Sequence, residues 1–309
     1  MVRLAIVQHA PDHLNLEGSM EKAITLIGEA AKNDATMILF GETWLSGYPA
    51  WLDYSPDIGR WDHDPMKQVY REMVRNSILI PGNETKRFET IAKELNLTIG
   101  IGVNERIDSG FGNGSLYNSL IIISQEGEVV VHHRKLMPTF TEKLLYGMGD
   151  GKGLTTYSGP FGSLGGLICW EHWMPHARQA LHNCGEQIHV AVWPSVHEIH
   201  QVASRHYAFE GRCFVAAIGQ IMRVRDFPGQ LTIPDSLKSD PEKMVLNGGS
   251  CVIGPNGKFI LEPVFDKEEI LYAEIDPQDV IGEKMTLDTT GHYYRPDIFS
   301  FEINRNRPE

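Results

Sequence analysis

What most limits the folds open to this chain is an alternation: a short apolar run, an amphipathic helical stretch, then an apolar run again. Val2–Gln8 reads as a buried strand, and behind it Leu16, Met20, Ile24, Ile27 and Ala31 recur at the spacing of one helix face. The pattern returns with the strand run Met37–Phe40, a helix over Glu84–Leu95 that aligns Phe88, Ile91 and Leu95, and the strand Thr98–Val103. Interleaved strands and helices predict an α/β fold. Two hairpins add antiparallel pairs, so the sheets should be mixed. In one, Asn118–Ser124 turns at Gln125-Glu126-Gly127 into Glu128–His133; in the other, Ser250–Ile253 turns at Pro255-Asn256-Gly257 into Lys258–Leu261.

With 309 residues, 42% of them hydrophobic, the chain can bury a large core, and its length suits one or two domains. No low-complexity linker divides it, so a single unit over residues 1–309 is expected. The stretches Ala50–Asn83 and Arg223–Asn247 are rich in Pro, Asp and charge and lack sustained apolar periodicity, which reads as surface insertions. A net charge of -12 argues against nucleic-acid or anionic-membrane partners, because phosphate binding needs a clustered excess of Lys and Arg. No run approaches the roughly 20 apolar residues of a membrane span, and VRLAIVQHAP is too short and polar for a signal peptide. These features predict a cytoplasmic protein acting on a small molecule. Cys169, Cys184, Cys213 and Cys251 lie far apart without CxxC spacing, so they read as individual thiols rather than a zinc ribbon or disulfide framework.

Three polar elements break the apolar pattern. Gly165-Gly166-Leu167-Ile168-Cys169 places a thiol where a strand run ends, ahead of the helix Met174–Cys184 with Pro175 in its first turn. Such an elbow should leave the thiol well exposed and offer backbone N–H groups to developing charge. A lone cysteine is equally at home as a small buried hydrophobe, the reading adopted for Cys184, Cys213 and Cys251. Glu42 lies just past a strand run, where open α/β sheets build their sites, although a solvated loop or a helix cap explains it as well. His132-His133-Arg134-Lys135 follows a strand and, alone, reads as a solvated charged face. Together they make chemical sense: a thiol nucleophile needs a base for its proton and a cation to favour the anion. Spacing in the sequence does not say whether the three meet.

Glu42 within Gly41-Glu42-Thr43-Trp44-Leu45-Ser46-Gly47-Tyr48-Pro49, Lys135 within His133-Arg134-Lys135-Leu136-Met137-Pro138-Thr139 and Cys169 within Cys169-Trp170-Glu171-His172-Trp173-Met174-Pro175 resemble, in order, the three signature motifs of the nitrilase superfamily. The resemblance runs from Leu4-Ala5-Ile6-Val7-Gln8 to Gly291-His292-Tyr293-Tyr294-Arg295-Pro296-Asp297, the latter similar to a motif of true nitrilases. It implies a four-layer α-β-β-α sandwich, protomers paired through helices into at least a homodimer, and hydrolysis of a nitrile to an acid and ammonia without metal or organic cofactor. It further implies Glu42 as base, Lys135 as electrostatic stabiliser, Cys169 as nucleophile through a thioimidate and a thioester, and Glu142 as the residue orienting Lys135 and water. Tyr48, Tyr146, Trp170, Trp173 and Trp193 become candidates for the substrate-pocket wall, although each could equally be packing.

An amidase or carbamoylase of the same superfamily, or a cyanide-hydrolysing member, would use the same three residues. His197-Glu198-Ile199-His200 suggests metal but has the wrong spacing for HExxH on a helix. The glycines at 110–114 and 147–151 do not sit between a strand and a helix as phosphate cradling requires, and read as turns.

Overall fold

The computed structural model describes residues 1–110 and 112–307; Phe111, inside the glycine-rich turn at 110–114, and Pro308 and Glu309 lie outside them. Two sheets form the centre. The first runs, edge to edge, β13 (Glu269–Ile275), β1 (Val2–Gln8), β2 (Met37–Leu39), β3 (Thr98–Arg106), β4 (Leu116–Ile123) and β5 (Val129–Arg134). The second runs β10 (Ile221–Arg223), β11 (Met244–Ile253), β9 (Phe214–Ile218), β8 (Ile188–Val192), β7 (Gly162–Ile168) and β6 (Tyr157–Gly159), with β12 (Phe259–Phe265) also paired to β11. Both are mixed: β1, β2 and β3 are parallel, as are β7, β8 and β9, and the hairpins supply antiparallel partners.

The period of two along each strand explains the layers. Val2, Leu4, Ile6, Met37, Leu39, Leu120 and Ile122 point inward and share one core with Leu167, Val190 and Ala216 of the second sheet. Their alternates Ala5, Val7, Ile38, Ile121 and Ile123 point outward to a second core. That core is closed by helices α1 (Leu16–Lys32) and α3 (Asn83–Leu95), which contribute Met20, Ala23, Ile27, Phe88 and Ala92. On the opposite side α4 (Pro175–His182) and α5 (Glu198–Gly211) cover the second sheet through Ala177, Leu181, Tyr207 and Ala208. The result is the expected α-β-β-α sandwich.

The segments 50–83 and 223–247 depart from the expectation of irregular insertions. The first contains α2 (Asp64–Arg75), whose Val69 and Met73 join Trp51, Leu52, Phe227, Leu231 and Leu237 in a third apolar cluster. Thr232 N–H donates to Asp57 at 2.7 Å and Gln230 to Glu72 at 2.6 Å, so the two segments pack on each other. In the first segment Met66, Val69, Tyr70 and Met73 line one face of α2, a helix too short and too charged elsewhere to stand out in the sequence, and the second segment packs on that face. The same cluster includes Leu145 and Tyr146, next to Glu142.

One close approach fixes how the first sheet presents its polar end. Gly102 of β3 receives the loop after β2: its N–H donates to Gly41 O at 3.2 Å, and its carbonyl accepts from Leu45 N–H at 3.1 Å. A Cβ on Gly102 would lie 2.2 Å from Gly41 O and 2.8 Å from Glu42 Cα, both backbone atoms that cannot swing aside. Gly102→Ala is therefore expected to cost about 1–3 kcal/mol of stability in urea unfolding, as overpacking does, and to lower kcat by displacing Glu42. Wild-type stability and rate would show that this contact yields freely.

Candidate active site

Glu42 follows β2 and Lys135 follows β5 in the first sheet, while Cys169 follows β7 in the second. The polar ends of the two sheets therefore meet at one edge of the sandwich. Lys135 Nζ donates to Glu42 Oε1 at 2.7 Å and to Glu142 Oε2 at 2.8 Å, with all three residues buried. Glu142, one turn beyond Lys135, also accepts from Thr139 N–H at 3.0 Å and Tyr48 OH at 2.7 Å. Asn118 Nδ2 donates to Glu42 Oε1 at 2.7 Å, and Gln220 Nε2 holds the Glu42 carbonyl at 2.6 Å. Glu42 Oε2 is buried with no hydrogen-bond partner among the described residues.

Two carboxylates share one ammonium here, and the charges settle accordingly. Burial pushes Glu42 up to about 7, against the attraction of Lys135 and with repulsion from Glu142. Burial alone would lower Lys135, but negative charge around it, from Cys169, Glu42 and Glu142, holds it well above its ordinary value. Cys169 corrects two expectations. It is 7% exposed rather than open to solvent, and burial together with Glu42 raises its thiol well above normal despite Lys135. Burial and Glu42 thus make this sulfur costly to ionise, so that its proton must go to a base.

The cysteine stands at a strained position, with φ +54°, a region costing about 1–3 kcal/mol for a non-glycine residue. Glu171 holds it there. Its carboxylate accepts from Ile168 N–H at 2.7 Å, from Leu136 N–H at 2.8 Å and lies 2.9 Å from His133 Nε2. Burial would raise this carboxyl, yet His133 and the two amides keep it below its ordinary value. The residues before Cys169 and after Lys135 are thus tied to one side chain. Trp170 adds a second tie, its indole N–H donating to Met137 O at 2.7 Å.

Of the other aromatics, Tyr48 touches Glu142, and Tyr146 is buried with its hydroxyl donating to Asn104 at 2.6 Å. Trp193 follows β8 immediately beside Cys169, since Ile168 pairs with Val192 in parallel register. It is fully buried, stacked on His172 at 4.6 Å between ring centroids, and half-exposed Trp173 lies edge-on to it at 5.2 Å. Cys184, Cys213 and Cys251 are free thiols, the last two buried. Sequence reasoning missed Asn118, Gln220 and the part of Glu171. Asn118 had left a signal: with Ser119, it is a polar break in a strand whose other residues are apolar or aromatic.

A family model described as carbon-nitrogen hydrolase matches residues 3–283. A protein named Nitrilase 2, from an unknown prokaryotic organism, is 38% identical over 306 residues, covering 99% of this chain and 93% of that protein. The aliphatic nitrilase of Sinorhizobium fredii (strain HH103) is 34% identical over 302 residues, covering 98% and 95%. Among solved structures, a carbon-nitrogen hydrolase from Helicobacter pylori G27 has a TM-score of 0.70 at 19% identity over 96% of each chain, a likeness of fold. The chain belongs to the carbon-nitrogen hydrolase family. It is an enzyme of carbon–nitrogen bond hydrolysis whose relatives by sequence are nitrilases.

Because Glu42 titrates near 7 rather than at the ordinary 4.5, the folded chain holds its proton more tightly than the unfolded one. The stability this gives is complete below the ordinary carboxylate range and is lost as pH rises through about 7. Glu42→Gln should therefore melt higher than wild type on the alkaline side of neutrality, with the gap closing in acid, as thermal scans across pH would read. A variant that melts lower than wild type at alkaline pH would contradict the raised carboxyl.

Proposed function

We propose that this protein hydrolyses an organic nitrile to its carboxylic acid and ammonia, with Cys169 as nucleophile, Glu42 as base and acid, and Lys135 as stabilising cation. The observation that carries this reading is the single Lys135 ammonium shared by Glu42 and Glu142, whose charges act on the neighbouring thiol. Glu42 Oε2, the oxygen without a protein partner, takes the thiol proton as Sγ bonds to the nitrile carbon, and returns it to nitrogen to give a thioimidate. A first water adds and ammonia leaves, giving a thioester. A second water then releases the acid and restores the thiol. Lys135 stabilises the anionic adducts in a site shielded from water, and Glu142 holds Lys135 and orients the water. Names borne by the relatives favour a nitrile over an amide.

Residues 1–309 act as one catalytic unit in this reading. Tyr48 and Tyr146 border the substrate beside the carboxylates, and Trp170, Trp173 and Trp193 shape its far side around Cys169. A nitrile lacks the N–H donors of an amide, so a pocket that offers an amide no acceptors disfavours it by roughly 1–3 kcal/mol per unpaired donor. Four free cysteines suit the reducing cytoplasm. Among the described residues no helix is long and apolar enough to cross a membrane.

Ammonia and acid release across matched nitriles and amides tests the assignment. The nitriles should turn over and the free amides should be poor substrates. Trp170→Tyr should shift the products toward amide, and Cys169→Ala should abolish turnover with the fold intact. Equal or better rates on the amides would make the enzyme an amidase instead, and an active Cys169→Ala would end the covalent mechanism.

The helix α5 exposes Ile199, Val202 and Phe209 on one face, and Trp61 in the segment 50–83 is almost wholly exposed. Such apolar surface fits pairing of two copies into at least a homodimer. Light scattering at working concentration should give twice the chain mass or more, and a monodisperse active monomer would refute it.

A further inference from the structure

Behind the cysteine elbow lies a line of buried polar groups that the proposed chemistry leaves unused. His172 Nδ1 lies 2.6 Å from the Cys169 carbonyl, His172 Nε2 lies 2.9 Å from His189 Nε2, and His189 Nδ1 lies 2.8 Å from Glu186 Oε1. Tyr207 OH donates to Glu186 Oε2 at 2.6 Å and closes the line. All five residues are buried, and His189 stacks on Tyr207 with centroids 3.8 Å apart.

Donor and acceptor rules fix how many protons this line holds. The Cys169 carbonyl can only accept, so His172 Nδ1 carries hydrogen. A neutral His172 then accepts at Nε2, which makes His189 Nε2 the donor. A neutral His189 accepts at Nδ1, so the hydrogen of the last bond must come from Glu186. If either imidazole were charged instead, the proton count would be the same with an ion pair added. Every arrangement that completes the three bonds holds one proton beyond two neutral imidazoles and a carboxylate. In a dry interior the uncharged arrangement wins. Burial drives His172 down to about 3 and His189 well below its ordinary value, and pushes Glu186 up to about 8.

We propose that Glu186 is a protonated carboxylic acid that acts as a positioning residue, fixing the Cys169 elbow through His189 and His172. This rests on Cys169 being the nucleophile. The surroundings are built for the acid: a Cβ on Gly165, four residues before Cys169 on β7, would lie 2.4 Å from Glu186 Oε1. The elbow needs such support because Cys169 occupies a left-handed backbone conformation. The titratable groups facing Glu186 are His189, His182 at the end of α4, Cys184 just beyond it, Tyr207 on α5 and Cys213 before β9, with His172 and Glu210 one group further out. Arg178 and His182 engage Glu210, at 2.7 and 3.3 Å. Loss of the Glu186 proton leaves one bond of the line without a hydrogen and frees the Cys169 carbonyl to move.

Glu186→Gln tests this, because its amide N–H can replace the acid proton toward His189 while its carbonyl accepts from Tyr207. The variant should work at neutral pH, whereas wild-type kcat falls as pH rises through about 8 and the variant loses that fall. Glu186→Ala should lose at least about tenfold in kcat, the scale of one buried polar group left unpaired. An alkaline fall preserved in Glu186→Gln, or a loss in it as deep as in Glu186→Ala, would overturn the proposal. An infrared difference spectrum, wild type minus Glu186→Gln, should show a protonated carboxyl band at neutral pH that vanishes in alkali. Absence of that band would refute the neutral acid whatever the nucleophile proves to be.

Discussion

One buried ammonium sets the terms for the molecule. Lys135 is enclosed on both sides by carboxylates, and the desolvation of all three is offset only because each oxygen it meets lies within hydrogen-bonding distance. Such a cluster tolerates little displacement, which explains how much backbone serves it. Asn118 and Gln220 hold Glu42, Tyr48 and the Thr139 amide hold Glu142, and Glu171 holds the turns on either side. Burial, against the pull of the ammonium, makes the Glu42 carboxyl hold a proton near neutrality, the condition a group needs to act as both base and acid.

The layers were readable from the sequence because their cause is local. Val2–Gln8 alternates between two cores, and the spacing of Met20, Ile27 and Phe88 declares helix faces before any tertiary contact is known. The ends of the strands were equally visible, and with them Glu42, Lys135 and Cys169. Their meeting was not, because it depends on the strand order of the first sheet and on the two sheets stacking, relations in which no period is expressed.

Other features escaped for different physical reasons. The elbow suggested an open thiol, whereas the opposing sheet and the loops bury it and so reverse the expected shift of its acidity. In the segment 50–83 the apolar stripe of α2, Met66, Val69, Tyr70 and Met73, is short and set among charged residues, and its burial depends on the distant segment 223–247. Buried His172, His189 and Glu186 sit in or beside motif and strand residues where a polar side chain among apolar neighbours is the only sign. Their protonation follows from a chain of bonds that no spacing rule describes.

Glu171 joins the two sheets at the point where they react. Because Ile168 N–H and Leu136 N–H end on the same carboxylate, a single side chain sets the turn that carries the thiol relative to the one that carries the ammonium. The segments 50–83 and 223–247 reach the same centre from another side, packing on Leu145 and Tyr146 next to Glu142. A substitution at position 171 would therefore act on both halves of the reaction centre at once.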